Sequence, residues 1–164
     1  MGVGAEIIDR SKRMRGKIKS RLLSTVAGII STVPTYESNE CDIIIDGDKK
    51  ITSNITMAIV ANGKFLGGGF NAAPRASTSD GLLDLIIMKN SGSLKMLQRL
   101  VEMKGNSQYT QEEDMLYYQA SQVAILPKNR NVTVSLDGEP VGILPAIFKV
   151  YHNALTIKSE PVIT

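Results

Sequence analysis

From Cys41 to its end the chain is a succession of short apolar runs separated by turn signals, and that texture constrains the fold most. "CDIIIDGDKKI" reads as a strand, an Asp46-Gly47 turn and a return, and "ITMAIVANG" continues as a nearly uninterrupted apolar strand. "LLDLIIMK", "YYQASQVAIL", "NVTVSLDG", "AIFKVYH" and "ALTIKS" follow as further strands. Asp-Gly between apolar runs is a hairpin signal, because both residues tolerate the positive φ of a tight turn. Strands this short and this dense predict a mainly β fold, an antiparallel β-sandwich, and 164 residues suit a single domain over 1–164.

Helices are expected at two places. Met14, Ile18, Leu22, Val26, Ile29 or Ile30, and Val33 recur at three- and four-residue steps, which predicts one long amino-terminal helix stopped by Pro34. Gly16 and Gly28 weaken that helix without breaking it. "SLKMLQRLVEMKG" predicts a short amphipathic helix with Leu94, Leu97 and Leu100 or Val101 on its apolar face, ended by Gly105. "NSQYTQEED" is polar and reads as a loop or a further helical turn.

Composition excludes several chemistries. The one cysteine, Cys41, lies in an apolar run and reads as a small buried hydrophobe, so neither an internal disulfide nor a Cys/His zinc site is available. The one histidine, His152, precedes Asn153 at an expected turn, which leaves no histidine for a catalytic triad. No long apolar leader opens the chain and no run reaches the ~18 apolar residues of a membrane-spanning helix, so a cytoplasmic protein is expected.

Between Lys12 and Arg21 the chain carries Lys12, Arg13, Arg15, Lys17, Lys19 and Arg21 with no acid among them. Such a run is either a solvated helix face or a surface for anionic lipid headgroups, which would make the protein peripheral at a membrane. Nucleic acid is not expected, because no aromatic residues are interleaved for base stacking. Long exposed strands are compatible with a homodimer formed by edge pairing across a two-fold axis.

Two acidic turns carry the candidate chemistry. Asp80 follows Ser77, Thr78 and Ser79, an oxygen-rich setting that suits either a plain Asp-Gly turn or a weak, partly hydrated site for a hard cation. Asp84, on the strand after it, is expected on the exposed face. Asp137-Gly138-Glu139 is either a bend in a sheet or two carboxylates held for reaction. The glycines of "GKFLGGGFNAAPRASTSDG" lack the spacing of a phosphate loop and instead suggest positive φ or close backbone approach.

In this order, Asn62, Gly67 to Gly69, Pro74, Asp80-Gly81 and Asp137-Gly138-Glu139, together with the opening "GVGAEII" and the basic helix, resemble the carboxy-terminal half of the bacterial diacylglycerol kinase family, which includes sphingosine and ceramide kinases. The resemblance covers nearly the whole chain. It implies a β-sandwich on the lipid-binding side of an ATP-dependent lipid kinase that phosphorylates a lipid hydroxyl. It also implies a preceding nucleotide-binding half as partner. The Gly-Gly-Asp-Gly-Thr motif by which that half binds ATP is absent from these residues, so the chain alone is expected to phosphorylate nothing. The resemblance implies that Glu139 takes the hydroxyl proton, with Asp137 beside it to orient it or help hold Mg²⁺. It further implies a structural Mg²⁺ on the Asp80 side chain and the backbone carbonyls of Ser77 and Leu82. Two other readings stand beside it: a non-catalytic lipid or membrane-surface module resting on the basic helix, and a small metal-dependent hydrolase using Asp80, Asp137 and Glu139.

Overall fold

The computed structural model describes residues 1–15, 21–66, 70–104, 113–156 and 158. The elements run α1 (Val3–Arg15), α2 (Arg21–Thr32), a 3-10 turn (Val33–Thr35), β1 (Asn39–Ile45), β2 (Lys49–Ala61), β3 (Phe65–Leu66), β4 (Phe70–Asn71), β5 (Leu83–Lys89), α3 (Ser93–Lys104), β6 (Met115–Ala120), β7 (Gln122–Pro127), β8 (Thr133–Leu136), β9 (Glu139–Ile143) and β10 (Ala146–Lys149). The fold is mainly β and antiparallel, as expected. Six strands form one sheet in the order β10-β7-β1-β2-β5-β6, with two separate hairpins, β3-β4 and β8-β9.

The two Asp-Gly turns are where the sequence put them. Asp46 and Gly47 close the β1-β2 hairpin, and Asp137 and Gly138 close β8-β9, all four with positive φ. The two expected strands after Asp46 are one continuous β2, with a register shift between Ile55 and Met57. "YYQASQVAIL" is two strands, β6 and β7, parted at Ser121, whose backbone and hydroxyl both donate to Asp46 Oδ1 at 2.8 Å. "ALTIKS" forms no strand over its described residues, although His152 and Asn153 make the expected turn.

The amino-terminal helical stretch is two helices, not one. α1 and α2 pack side by side, with Gly28 of α2 over Ser11 and the Ile7 carbonyl of α1. Arg10 of α1 donates to the Ser31 carbonyl at 2.7 Å, which ties the pair again. The polar segment 106–112, the glycines 67–69 and most of the basic run lie outside the described residues.

Alternation in the central strands divides the core in two. Ile86 and Met88 of β5 join Met57 and Ile59 of β2 in a layer roofed by Val3 and Ile7 of α1, Ile29 of α2 and Met96, Leu100 and Met103 of α3. Leu85 and Ile87 point the other way, into a layer with Cys41, Ile43, Val123 and Ile125, covered by Val132 and Val134 at the β8 hairpin. Cys41 is a buried free thiol, as expected, and burial pushes its pKa up to about 11.

α3 departs from its expected orientation. Met96, Leu100 and Met103 fill the core, whereas Leu94, Leu97 and Val101 face solvent. The thioethers are long enough to reach across to β6, and Arg99 on the same inner side is fixed by Asp114, at 2.9 Å from Nη2 to Oδ1.

Candidate active site at the β8-β9 hairpin

Glu139 is the first residue of β9, opposite Leu136 of β8. The turn is held to the domain from below, because Val132 and Val134 are buried in the second core layer. The Glu139 side chain is 74% exposed, so the carboxylate is presented outward and not consumed by packing. Its Oε1 accepts a hydrogen bond from Lys12 Nζ at 2.5 Å. Lys12 lies in the last turn of α1, which packs against β8. Between them opens a small cleft of about 110 Å³, lined in part by Ile8, Asp9, Lys12, Thr133, Ser135 and Pro140. Asp137 occupies the turn itself, exposed, with φ 45°.

The ion pair also bears on the basic run. Lys12 is engaged by Glu139, and Arg13 is paired with Asp9 at 2.8 Å. Two of its six cations are therefore committed within the domain; the side chains from Arg15 to Arg21 lie outside the described set. On the other flank of α1 a polar cavity of about 150 Å³ is bordered by Glu6, Arg10, Tyr36, Glu37 and Arg130. Its arginine heads are spoken for: Arg130 donates to Asn39 at 2.8 Å and to Glu37 at 2.7 Å. Burial, then the Glu6 charge, raise the Tyr36 pKa.

Asp80 lies in the exposed turn before β5. Its Oδ1 accepts the Leu82 N–H at 2.9 Å, and the Ser77 and Ser79 hydroxyls are 3.2 Å apart beside it. The His152 ring packs against this turn so closely that a Cβ at Gly81 would stand 2.6 Å from Nδ1. The donors Asp80, Ser77 and Leu82 are all oxygen and come from one turn, which fits a hard cation of the Mg²⁺ type. Among the described residues no three acids, histidines or cysteines come together as a metal-binding group. Asp80 thus does not converge with Asp137 and Glu139, and the expectation of a metal-dependent hydrolase built on those three acids fails.

Asp84 corrects the sequence reading outright. It is fully buried rather than exposed, because β5 is covered on both faces. Its Oδ1 accepts short hydrogen bonding from the Tyr117 hydroxyl of β6, and Gln119 Nε2 donates to the same oxygen at 3.3 Å. Burial first, then this hydrogen bond, raise the Tyr117 pKa strongly. The Arg75 guanidinium stands 5.1 Å from the Tyr117 ring centre and the Arg75 backbone also bonds the tyrosine, so the residue joins β6 to the loop after Pro74. The one signal in the sequence was an acid inside an otherwise apolar seven-residue run, Leu82 to Met88.

No helix among the described residues is long and apolar enough to cross a membrane. A family model described as the YegS C-terminal NAD kinase beta sandwich-like domain matches residues 1–159. A diacylglycerol kinase from Bacillus subtilis (strain 168) is 25% identical over 147 residues, which is 88% of this chain and 48% of that protein. A diacylglycerol kinase from Mycobacterium tuberculosis (strain CDC 1551 / Oshkosh) is 28% identical over 97 residues, 59% of this chain and 31% of that protein. A solved structure from Bacillus anthracis strain Sterne, named as a candidate diacylglycerol kinase, superposes with a TM-score of 0.63 at 21% identity, over 81% of this chain and 45% of its own. The chain spans about half the length, or less, of the curated relatives it matches. It belongs to the YegS C-terminal β-sandwich-like family, the carboxy-terminal domain of diacylglycerol kinase-like lipid kinases.

Proposed function

We propose that this domain supplies the lipid-facing side and the proton acceptor of an ATP-dependent kinase acting on a diacylglycerol-like hydroxyl. The observation that carries the reading is Glu139: an outward-facing carboxylate on an anchored hairpin, at the lip of a cleft, directed by Lys12. Glu139 accepts the hydroxyl proton while the alcohol oxygen attacks the γ-phosphorus; the bond to the bridging oxygen breaks and ADP leaves. ATP comes with a nucleotide-binding partner domain, as in the two-domain resemblance. Asp137 fixes the turn from which Glu139 projects. Lys12 limits the directions the carboxylate samples, and its release as the partner domain closes would free Glu139 for the substrate. Mg²⁺ at the Asp80 carboxylate and the Ser77 and Leu82 carbonyls would tie the turn before β5 in place, a structural contribution.

The test joins this domain to the nucleotide-binding half of a relative and follows phosphate transfer from labelled ATP to dispersed diacylglycerol. Glu139→Gln should lower kcat about a hundredfold or more, with the urea midpoint unchanged because the side chain is exposed. Normal turnover in that variant refutes the assigned role.

A further inference from the structure

The cleft beside Glu139 is built from two faces with matching spacing. Ala5, Ile8, Asp9 and Lys12 fall at i, i+3, i+4 and i+7 of α1 and share one side of the helix. Thr133 and Ser135 alternate along β8, so both face that side, while Val134 between them points into the second core layer. Pro140 stands opposite Ser135 in the hairpin register and extends the same wall. The Ile8 Cγ2 methyl lies 4.0 Å from where a Cβ at Gly138 would be, against the turn that presents Glu139. Ala5, Ile8 and Pro140 make the lining chiefly apolar. The Thr133 and Ser135 hydroxyls have no hydrogen-bond partner among the described residues and are free to meet a ligand's oxygens.

Charge and size restrict what can enter. Lys12 is matched by Glu139 and Asp9 by Arg13, while Glu6 makes no ion pair among the described residues. Arg10, one turn after Glu6, donates instead to the Ser31 carbonyl of α2. Among the described residues no free cation lines the cleft, so an anionic ligand meets uncompensated carboxylate and a neutral one does not. The volume of about 110 Å³ is modest. An apolar cavity of about 150 Å³ holds a single benzene ring. The cleft therefore has room for a few carbon atoms and not for an acyl chain.

We propose that the α1-β8 cleft seats only the hydroxyl end of an uncharged lipid alcohol, with the alkyl chains left outside, and that Ile8 and Ser135 set the width of what enters. The proposal rests on the lipid-kinase reading above and names the part of the substrate that this site holds. Its test reads binding without turnover, so the two can fail separately. The isotope-labelled 164-residue chain is titrated with dibutyrylglycerol and with dihexanoylglycerol, each below its micellar concentration, and amide resonances are followed. Those of Ile8, Thr133 and Ser135 should shift and saturate, and that of Ile147, an exposed apolar residue on β10, should not move. The two dissociation constants should agree within about threefold, because burying the four extra methylenes would tighten binding about a hundredfold or more. Dihexanoyl phosphatidic acid should bind at least about tenfold more weakly than dihexanoylglycerol. Filling the cleft by Ile8→Phe, or from the other wall by Ser135→Leu, should weaken diacylglycerol binding about tenfold. The chain-length and charge comparisons use the wild-type chain, so they stand even where a filled variant does not fold. Absence of saturable shifts at the cleft, an equal shift at Ile147, a hundredfold gain with chain length, tighter binding of the phosphatidic acid, or undiminished binding by a folded filled variant would each overturn the proposal. Normal turnover in Glu139→Gln would remove the assigned base and leave the seat standing.

Discussion

Replacing Gly28 by Ala sets helix propensity against packing, and the geometry says packing wins. A Cβ at Gly28 would lie 2.2 Å from Ser11 Oγ, 3.0 Å from the Ile7 carbonyl oxygen and 3.3 Å from Ser11 Cβ. A rotamer change at Ser11 relieves the first contact. It cannot relieve the other two, because one is backbone and one is the Cβ itself, so α1 must move away by a few tenths of an ångström. Overpacking of this kind costs about 1–3 kcal/mol, while Ala in place of Gly inside a helix returns ~1 kcal/mol. The expected net loss is about 1 kcal/mol, read as a lower urea midpoint at constant slope. Ser11→Ala alone should be neutral or stabilising, since the Ser11 hydroxyl is buried with no hydrogen-bond partner among the described residues. The double variant should recover part of the loss, a coupling of about 0.5 kcal/mol or more. A Gly28→Ala protein as stable as wild type, or an absence of coupling to Ser11, would show that α1 and α2 do not approach this closely.

Two further outcomes follow from the buried polar groups. Tyr117→Phe leaves the fully buried Asp84 carboxylate without its main donor and should cost about 2 kcal/mol, seen as a lower urea midpoint; an unchanged midpoint would mean that Gln119 alone satisfies the acid. Asp114 is held below its usual pKa, chiefly by hydrogen bonding to Arg99. Its carboxylate therefore binds fewer protons folded than unfolded, and its stabilisation is present above the unfolded value and lost as pH falls below about 4. Arg99→Met should destabilise the domain by about 3 kcal/mol at neutral pH and flatten that acid limb; a limb as steep as wild type would assign it to other carboxylates.

The parts of the fold written in local chemistry were legible. Asp46-Gly47 and Asp137-Gly138 announced their hairpins because few dipeptides accept positive φ, and Pro34 stopped the helical pattern because it lacks an N–H. What depended on distant partners was not. Asp84 looks exposed by alternation, but that rule assumes one wet face, and β5 has none; its hydrogen-bond donor lies 33 residues further on. α3 offered two apolar stripes, and leucine-rich spacing favoured the one that faces solvent, since nothing local reveals that Met96, Leu100 and Met103 fill the core or that Arg99 meets Asp114, 15 residues further on. At the candidate site Glu139 was visible as part of an acidic turn, whereas its partner Lys12, 127 residues away, was visible only as one cation in a run.

β5 is a wall shared by two rooms. Leu85 and Ile87 furnish one and Ile86 and Met88 the other, while its backbone is bonded to β2 and β6 on either side. Neither layer can melt while its neighbour persists, because opening one exposes the strand that closes the other. The domain should accordingly come apart in a single concerted transition, and the amide protons of residues 84–88 should be among the last to exchange with solvent.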